Sequence, residues 1–317
     1  MDSDTVKEQE IKGVILAAGK GSRMGLLPSA LPKPVLPILN RPIIYHQLSA
    51  MARLGIKTVF LVVGHQGYLV VREIERLPSL GLSIHYLSQD QTLGIAHCVG
   101  QLEASVDGPF LMFLGDIYFE APRMEEMVRL FRKPGVDGVL GAVHTERLDE
   151  IKKNFSIIED HDGRVSRVIE KPRYPKTDLK GTGLYLFSPV IFDAIRRTPR
   201  TAMRDEYEIT DSIQIMIDDG YRLLASTCID ADLNVTYPGD LLDINLRLLE
   251  SRGLSRLLGE NVTLGAGSEV TESVVGDGVE IGAGAKVSRS VLFAGVKVPD
   301  GAELDRVVLT REGQWKK

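Results

Sequence analysis

The sequence predicts an α/β protein built on a doubly wound mixed sheet and followed by a short left-handed β-helix. Short apolar runs at residues 14–18, 58–63, 82–87 and 109–114 alternate with helically spaced segments at 42–54 and 69–77, the pattern of strands joined by helical crossovers. Near the end of the chain a period of 17 appears: Val262, Val279 and Val296; Leu264, Ile281 and Val298; Gly267, Gly284 and Gly301; Val270, Val287 and Leu304. With 317 residues and 44% hydrophobic content, the chain can also bury a large core.

The first strand, VILAA at 14–18, is apolar throughout, which suits a buried parallel strand. It runs into Gly19-Lys20-Gly21-Ser22-Arg23, where the glycines let backbone come close to a ligand and expose amide N–H groups to an anion. Residues 11–72 contain no Asp or Glu but eight cations: Lys12, Lys20, Arg23, Lys33, Arg41, Arg53, Lys57 and Arg72. As the whole chain carries −5, the remainder carries −13, so the basic span marks a local site for phosphate rather than general nucleic-acid binding. Two better-known phosphate loops are excluded. The G-x-G-x-x-G fingerprint fails because Met24 stands at the third glycine, with Gly25 one residue late, and G-x-x-x-x-G-K-[ST] is absent.

The helical stretch 42–54 stops at Gly55. Strand, amphipathic helix and strand follow, and ligands of such sheets sit beyond the carboxyl ends of the strands, where Gly19 begins. Gln89 opens a polar turn, and its amide can match the donor and acceptor of a uracil or thymine edge or simply face solvent. The run PFLMFL at 109–114 ends in Gly115-Asp116. A carboxylate at the end of a buried strand needs a cation or donors, so Asp116 reads as a Mg²⁺ ligand or as a helix N-cap.

A helix at 124–131 and a strand at 137–143 follow. Two strands within 155–170 flank the turn Asp160-His161-Asp162-Gly163 and deliver Glu170-Lys171-Pro172, whose proline keeps Lys171 out of the αR region. The pair serves hydroxyls and phosphate, or forms a surface ion pair. The strand 181–185 carries glycines that permit close approach, 206–217 is helical, and Pro238 and Asp240 open a helix at 241–250.

The 17-residue copies run 259–275, 276–292 and 293–309, and read as three turns of a solenoid close to the hexapeptide type, or as a small sandwich. Many such solenoids are acyltransferases with a histidine base. None of the six histidines lies beyond His161, so the tail is expected to serve packing, capping or oligomer contacts and to transfer no acyl group. The expected organisation is a flexible N-terminus at 1–11, a catalytic domain at 12–252, the β-helix at 253–311 and a tail at 312–317.

Cys98 and Cys228 are read as buried thiols, and the histidines show no zinc-ligand spacing. The first ten residues are polar and acidic, the apolar run after them is too short for a signal peptide, and no stretch approaches the roughly 18 apolar residues of a membrane span. A cytoplasmic location, away from membranes, is expected.

Eight stretches appear in order between residues 12 and 250: LAAGKGSRMG, PKPVLPI, QDQTLGIAH, LGD, EKP, GTGLYLF, EITDSI and NVTYPGDLL. This set resembles the sugar-1-phosphate nucleotidyltransferases, or NDP-sugar pyrophosphorylases. The resemblance implies a Rossmann-like domain that joins a nucleoside triphosphate to a sugar 1-phosphate with Mg²⁺ and releases pyrophosphate, in a homo-oligomer. It implies that Leu16, Ala17, Ala18, Gly19, Lys20, Gly21 and Ser22 wrap the nucleotide, that Arg23 faces the leaving pyrophosphate and that Lys33 contacts phosphate oxygens. By the same resemblance Gln89 and Gly94 read the base, Glu170 accepts from sugar hydroxyls, Lys171 holds the sugar phosphate and Gly183 lies against the ring.

Asp116 and Asn234 are the implied metal ligands. Asn234 stands where many relatives have aspartate, with Asp232 as a substitute. Ile95 in place of threonine, and Phe155-Ser156 in place of tyrosine-glycine, depart from the family's pattern near base or sugar. Glucose 1-phosphate with dTTP or UTP is the leading assignment; N-acetylglucosamine, mannose, heptose or cyclitol phosphates, and GTP, ATP or CTP, remain alternatives. A noncatalytic NDP-sugar-binding subunit would be expected to lose Arg23, Lys33, Asp116 and Lys171, and a nicotinamide oxidoreductase fails on the Gly25 offset.

Overall fold

The computed structural model describes residues 10–19, 31–202 and 205–317. These form two compact units, one of residues 10–19, 47–67 and 78–232, the other of 31–46, 68–77 and 233–317. In chain order the helices are α1 (Ile43–Arg53), α2 (Gly67–Glu75), α3 (Ile95–Gly100), α4 (Glu125–Phe131), α5 (Leu148–Ile151), α6 (Ile191–Arg197), α7 (Ile209–Asp218) and α8 (Pro238–Ser251).

The first unit is organised by a nine-stranded sheet. Its strands are β1 (Lys12–Ala17), β2 (Thr58–Val63), β3 (Ser83–Ser88), β4 (Phe110–Leu114), β5 (Val136–His144), β6 (Phe155–Glu159), β7 (Val165–Glu170), β8 (Leu179–Phe187) and β9 (Arg222–Ser226). They lie in the order β7-β6-β8-β4-β1-β2-β3, with β5 paired to β8 and β9. Strands β3, β2, β1 and β4 are mutually parallel, as are β5 and β9, while β8 runs antiparallel to β4, β5 and β6. This is the doubly wound mixed sheet expected from the alternating apolar runs.

The continuous apolar character of those runs is explained by burial on both faces. Val14, Phe60, Val62, Met112, Tyr185 and Phe187 pack with α3, α6 and α7 on one face, and the alternate residues Ile15, Leu61, Leu111 and Phe113 are equally buried. From β1 the chain builds β2 and β3 on one side and then crosses to place β4 on the other. The sheet order therefore reverses at β1, and the carboxyl ends of β1 and β4 bracket the crevice where such sheets bind ligands.

Two helix starts differ from the sequence expectation. Helix α7 begins at Ile209 because Glu208 is still extended, with φ −80° and ψ 135°. Helix α8 begins already at Pro238: the Asp240 carboxylate accepts the N–H groups of Thr236 at 2.9 Å and Tyr237 at 2.7 Å and closes the first turn.

The second unit combines α8 with the solenoid. Its coils stack in parallel register at the sequence period: Thr263 pairs with Glu280 and Glu280 with Lys297, while Val270 pairs with Val287 and Val287 with Leu304. This is a β-helix rather than a sandwich. Each coil turns at left-handed residues, Asn261, Gly278 and Gly295 at one position, Gly267, Gly284 and Gly301 at the next, and Glu272, Arg289 and Arg306 at the third. Buried serines stitch successive coils, Ser290 N–H donating to Ser273 Oγ at 3.0 Å and Val307 N–H to Ser290 Oγ at 3.1 Å. On α8, buried Asn245 accepts from Leu39 N–H at 2.8 Å and donates to Pro37 O at 3.1 Å, fixing the hairpin of Pro37–Ile38 with Arg41–Pro42. No helix among the described residues is long and apolar enough to cross a membrane.

Candidate active site

The crevice in the first unit is built from backbone. Gly115 N–H donates to Leu16 O at 2.9 Å, and a Cβ on Gly115 would lie 2.8 Å from that oxygen and 3.2 Å from Ala17 Cα. Only glycine lets the end of β4 lie this closely on the end of β1. Half-buried Asp116 therefore stands beside the point where β1 hands over through buried Ala17 and Ala18 to exposed Gly19. Gln47 of α1, 2% exposed, clamps the same turn: its Nε2 donates to Leu114 O and to Ile117 O, each at 2.8 Å.

Lys20, Gly21, Ser22 and Arg23 lie outside the described residues. Lys33 opens the short 3-10 turn Lys33–Val35, and Asn234 ends the strand Ala231–Asn234; both belong to the second unit.

On the proposed base side, buried Gln89 donates its N–H to Val63 O at 2.8 Å, so it sits at the carboxyl end of β2. Gly94 has φ 108°, and a Cβ there would lie 2.4 Å from Tyr207 O. Tyr207 clips this turn, its N–H donating to Leu93 O at 2.7 Å and its carbonyl accepting from Ala96 N–H at 3.0 Å. The glycine at 94 thus has a structural reason independent of any ligand. Ile95 begins α3 and packs on the core. Burial pushes the nearby Cys98 thiol up to about 12, leaving it an unreactive core residue.

On the proposed sugar side, Glu170 at the end of β7 pairs with Phe155 of β6. Its Oε2 accepts from Thr210 Oγ1 at 3.3 Å, and its Oε1 lies 3.4 Å from Lys171 Nζ. Lys171 is out of the αR region, as its proline neighbour requires, but it adopts the left-handed region at φ 41° rather than an extended one. Its N–H donates to Asn154 O at 2.7 Å, which holds it there. Burial first, then the Glu170 charge, pushes the Asp211 carboxyl above the usual range. At Gly183 a Cβ would lie 2.7 Å from both Ile117 Cδ1 and Leu114 Cδ1, so apolar packing already demands this glycine.

Sequence reasoning missed Lys180, although one signal was present: it is the single charge in the wholly buried strand LKGTGLYLF. Its Nζ donates to Asp232 Oδ1 at 2.5 Å and lies 3.5 Å from Glu150 Oε2. Asp232, expected as a substitute metal ligand, is thus engaged in a buried ion pair. Burial, opposed by Lys180, pushes its carboxyl above the usual range.

Among the described residues, no group of three or more His, Cys, Asp or Glu is placed to hold a metal. Asp116 nevertheless fits Mg²⁺, which takes one or two carboxylates and completes its shell with substrate phosphates and water.

Comparison with known proteins adds a family context. A profile described as nucleotidyl transferase matches residues 12–249, and one described as a GlmU-like C-terminal hexapeptide matches residues 254–315. The chain is 36% identical over 298 residues to a glucose-1-phosphate thymidylyltransferase of Streptomyces griseus, covering 84% of this chain and 81% of the relative. It is 30% identical to a UTP–glucose-1-phosphate uridylyltransferase of Haloferax volcanii, covering 76% of this chain and 97% of the relative. Among solved structures, UDP-glucose pyrophosphorylase complexed with UDP-glucose is similar in fold, with a TM-score of 0.67 at 20% identity over 77% of this chain and the whole of that one.

Proposed function

Because the chain belongs to the nucleotidyl transferase family, as a sugar-1-phosphate nucleotidyltransferase, we propose that its substrates are glucose 1-phosphate and dTTP or UTP. The observation that supports the reading is the contact of Gly115 with Leu16, which brings Asp116, the next residue, beside the carboxyl end of β1 at the sheet's crevice. The choice of glucose and of a thymine or uracil base rests on the relatives.

In this reaction an anionic oxygen of the sugar phosphate attacks the α-phosphorus. The new O–P bond forms as the bond from that phosphorus to the bridging oxygen breaks, and its electron pair leaves with pyrophosphate. The attacking oxygen is already ionised, so no general base is needed, and positioning and charge neutralisation carry the catalysis. Asp116 would hold Mg²⁺, which would supply part of that neutralisation. The Lys171 ammonium holds the sugar phosphate, Glu170 accepts from sugar hydroxyls and Gln89 presents its amide to the base. Arg23 faces the leaving pyrophosphate and Lys33 supplies a further cation for phosphate. The enzyme works as a cytoplasmic homo-oligomer, and its solenoid, which carries no histidine, transfers no acyl group.

A pyrophosphate-release screen of five nucleoside triphosphates against a panel of sugar 1-phosphates tests this. Glucose 1-phosphate with dTTP or UTP is expected to be fastest. Chelation should abolish turnover without unfolding, and Asp116→Asn should lower kcat by about a hundredfold or more. A faster alternative sugar or base overturns the substrate assignment. Inactivity with every pair, together with binding of an NDP-sugar, favours a noncatalytic regulatory subunit instead.

A further inference from the structure

The solenoid is covered at one end and open at the other. Its core repeats every 17 residues, so equivalent positions are comparable from coil to coil. Ile281 and Val298 are 2% and 4% exposed, whereas Leu264, at the same position of the first coil, is 40% exposed. Leu257 and Leu258 are half-buried, where their equivalents Val274, Val275, Val291 and Leu292 are buried. Val262 is half-buried too, where Val279 and Val296 are buried, and exposed Leu254 lies just before this coil.

Terminal position does not explain this exposure, because the last coil is terminal as well and keeps Val296, Val298 and Val308 buried. The end of the chain covers it. The strand Gln314–Lys316 pairs antiparallel with Val307–Leu309, Arg311 Nε donates to Ala294 O at 3.1 Å, and Lys317 Nζ lies 2.6 Å from Asp243 Oδ2 of α8. The first coil has no such strand among the described residues. Its strands Arg256–Leu258, Thr263–Leu264 and Glu269–Thr271 each stand at the end of a sheet, paired on one side. An end that is both apolar and unpaired calls for a cap.

The rim of the open end carries charges of both signs. Exposed Arg256 lies on the first strand, its Nη1 3.4 Å from Val270 O, while exposed Glu269 lies on the third strand and exposed Glu272 just after it. A rim of one sign would repel its own copy, and this one is complementary to itself. A two-fold axis through Thr263–Leu264, perpendicular to the column, sets that strand antiparallel to its counterpart. The same axis exchanges the other two strands, so that Arg256 of each copy faces Glu269 and Glu272 of the other. The apolar ends of the two columns meet inside this rim.

We propose that the open end of the solenoid docks on the same end of a second copy, joining two chains through their first coils. This rests on the homo-oligomer part of the functional reading and names the surface that forms it. The three sheets then continue from one chain into the other, which pairs the free strand edges and covers Leu264 and its apolar neighbours.

The test is sedimentation velocity of the full chain across a range of concentrations, with circular dichroism reporting the fold of each variant. The native protein should be a dimer or a larger even-numbered assembly. Leu264→Asp puts a charge into the apolar contact and should halve the mass. Arg256→Glu sets acid against acid, Glu269→Lys/Glu272→Lys sets cation against cation, and each should halve the mass as well. Mixed together, these two charge variants should regain the native mass, because each then meets the opposite sign. If Leu264→Asp loses its fold, the charge variants, which alter exposed residues only, decide the matter. A native protein that is monomeric at every concentration overturns the proposal together with the homo-oligomer reading. A native assembly whose mass survives Leu264→Asp, or charge variants that keep the native mass or fail to pair when mixed, overturn this proposal alone. The nucleotidyl transfer is read separately, by pyrophosphate release, and stands or falls independently of these masses.

Discussion

Replacing Gln47 by leucine removes the clamp on the Asp116 turn while keeping the side chain's bulk. Two N–H···O bonds of 2.8 Å are lost, and Leu114 O and Ile117 O lose a donor. Each stranded carbonyl is unfavourable by roughly 1–3 kcal/mol. Part of this is recovered, because Gln47 Oε1 is itself buried without a partner among the described residues and disappears in the variant. The net destabilisation is about 1–3 kcal/mol, which at roughly 2–4 °C per kcal/mol lowers Tm by about 2–12 °C. Activity should fall further than stability suggests, since an ångström of misplacement at a reacting centre lowers rate by about a hundredfold. Thermal melts combined with pyrophosphate release across a Mg²⁺ titration check this. The expected result at 25 °C, where the variant is still folded, is a kcat reduced about a hundredfold and a raised Mg²⁺ requirement, with little change in KM for the sugar phosphate. A lowered melt with unchanged kcat and Mg²⁺ dependence would refute the reasoning and leave Gln47 a purely structural residue.

Lys180→Met alone strands the buried Asp232 carboxylate and should destabilise the protein by about 3–5 kcal/mol, whereas Lys180→Met/Asp232→Leu should regain most of that; denaturant melts showing the double variant as unstable as the single would contradict the pairing. Gly94→Ala meets Tyr207 O and a φ of 108°, so a loss of roughly 1–3 kcal/mol or more is expected, read from urea midpoints. Burial holds the His46 pKa below its ordinary value of 6.5. Its neutral form therefore contributes stability that is present above about pH 6.5 and is lost as pH falls through the lowered pKa. His46→Gln should flatten part of the acid-side fall in Tm, and an unchanged pH profile would count against that assignment.

Much of the fold was legible because one-dimensional patterns report it. Strands buried on both faces must be apolar throughout, which made β1, β2 and β4 visible as unbroken runs. A solenoid repeats its own environment, so its 17-residue period reappears directly as register between Val270, Val287 and Leu304. The Gly115-Asp116 turn was legible for a similar reason: a charge directly after a buried strand is conspicuous in sequence. The crossing of the chain from β3 to β4, and with it the position of the crevice, could be anticipated only from the rule for such sheets.

What the sequence by itself determined was therefore the fold class, the solenoid, the basic span and the set of polar residues at strand ends, since each depends on local composition and spacing. Tertiary structure alone decided which polar residues share a neighbourhood. Gln47 lies 67 residues from Leu114 and Lys180 lies 52 from Asp232, and no local pattern signals bonds across such distances. It also decided what the glycines are for: Gly94 answers the backbone of Tyr207 and Gly183 the side chains of Leu114 and Ile117. Close packing and buried hydrogen bonds join residues remote in sequence, so the clamp on the Gly115-Asp116 turn and the buried Lys180–Asp232 pair exist only once the sheet has brought those strands together.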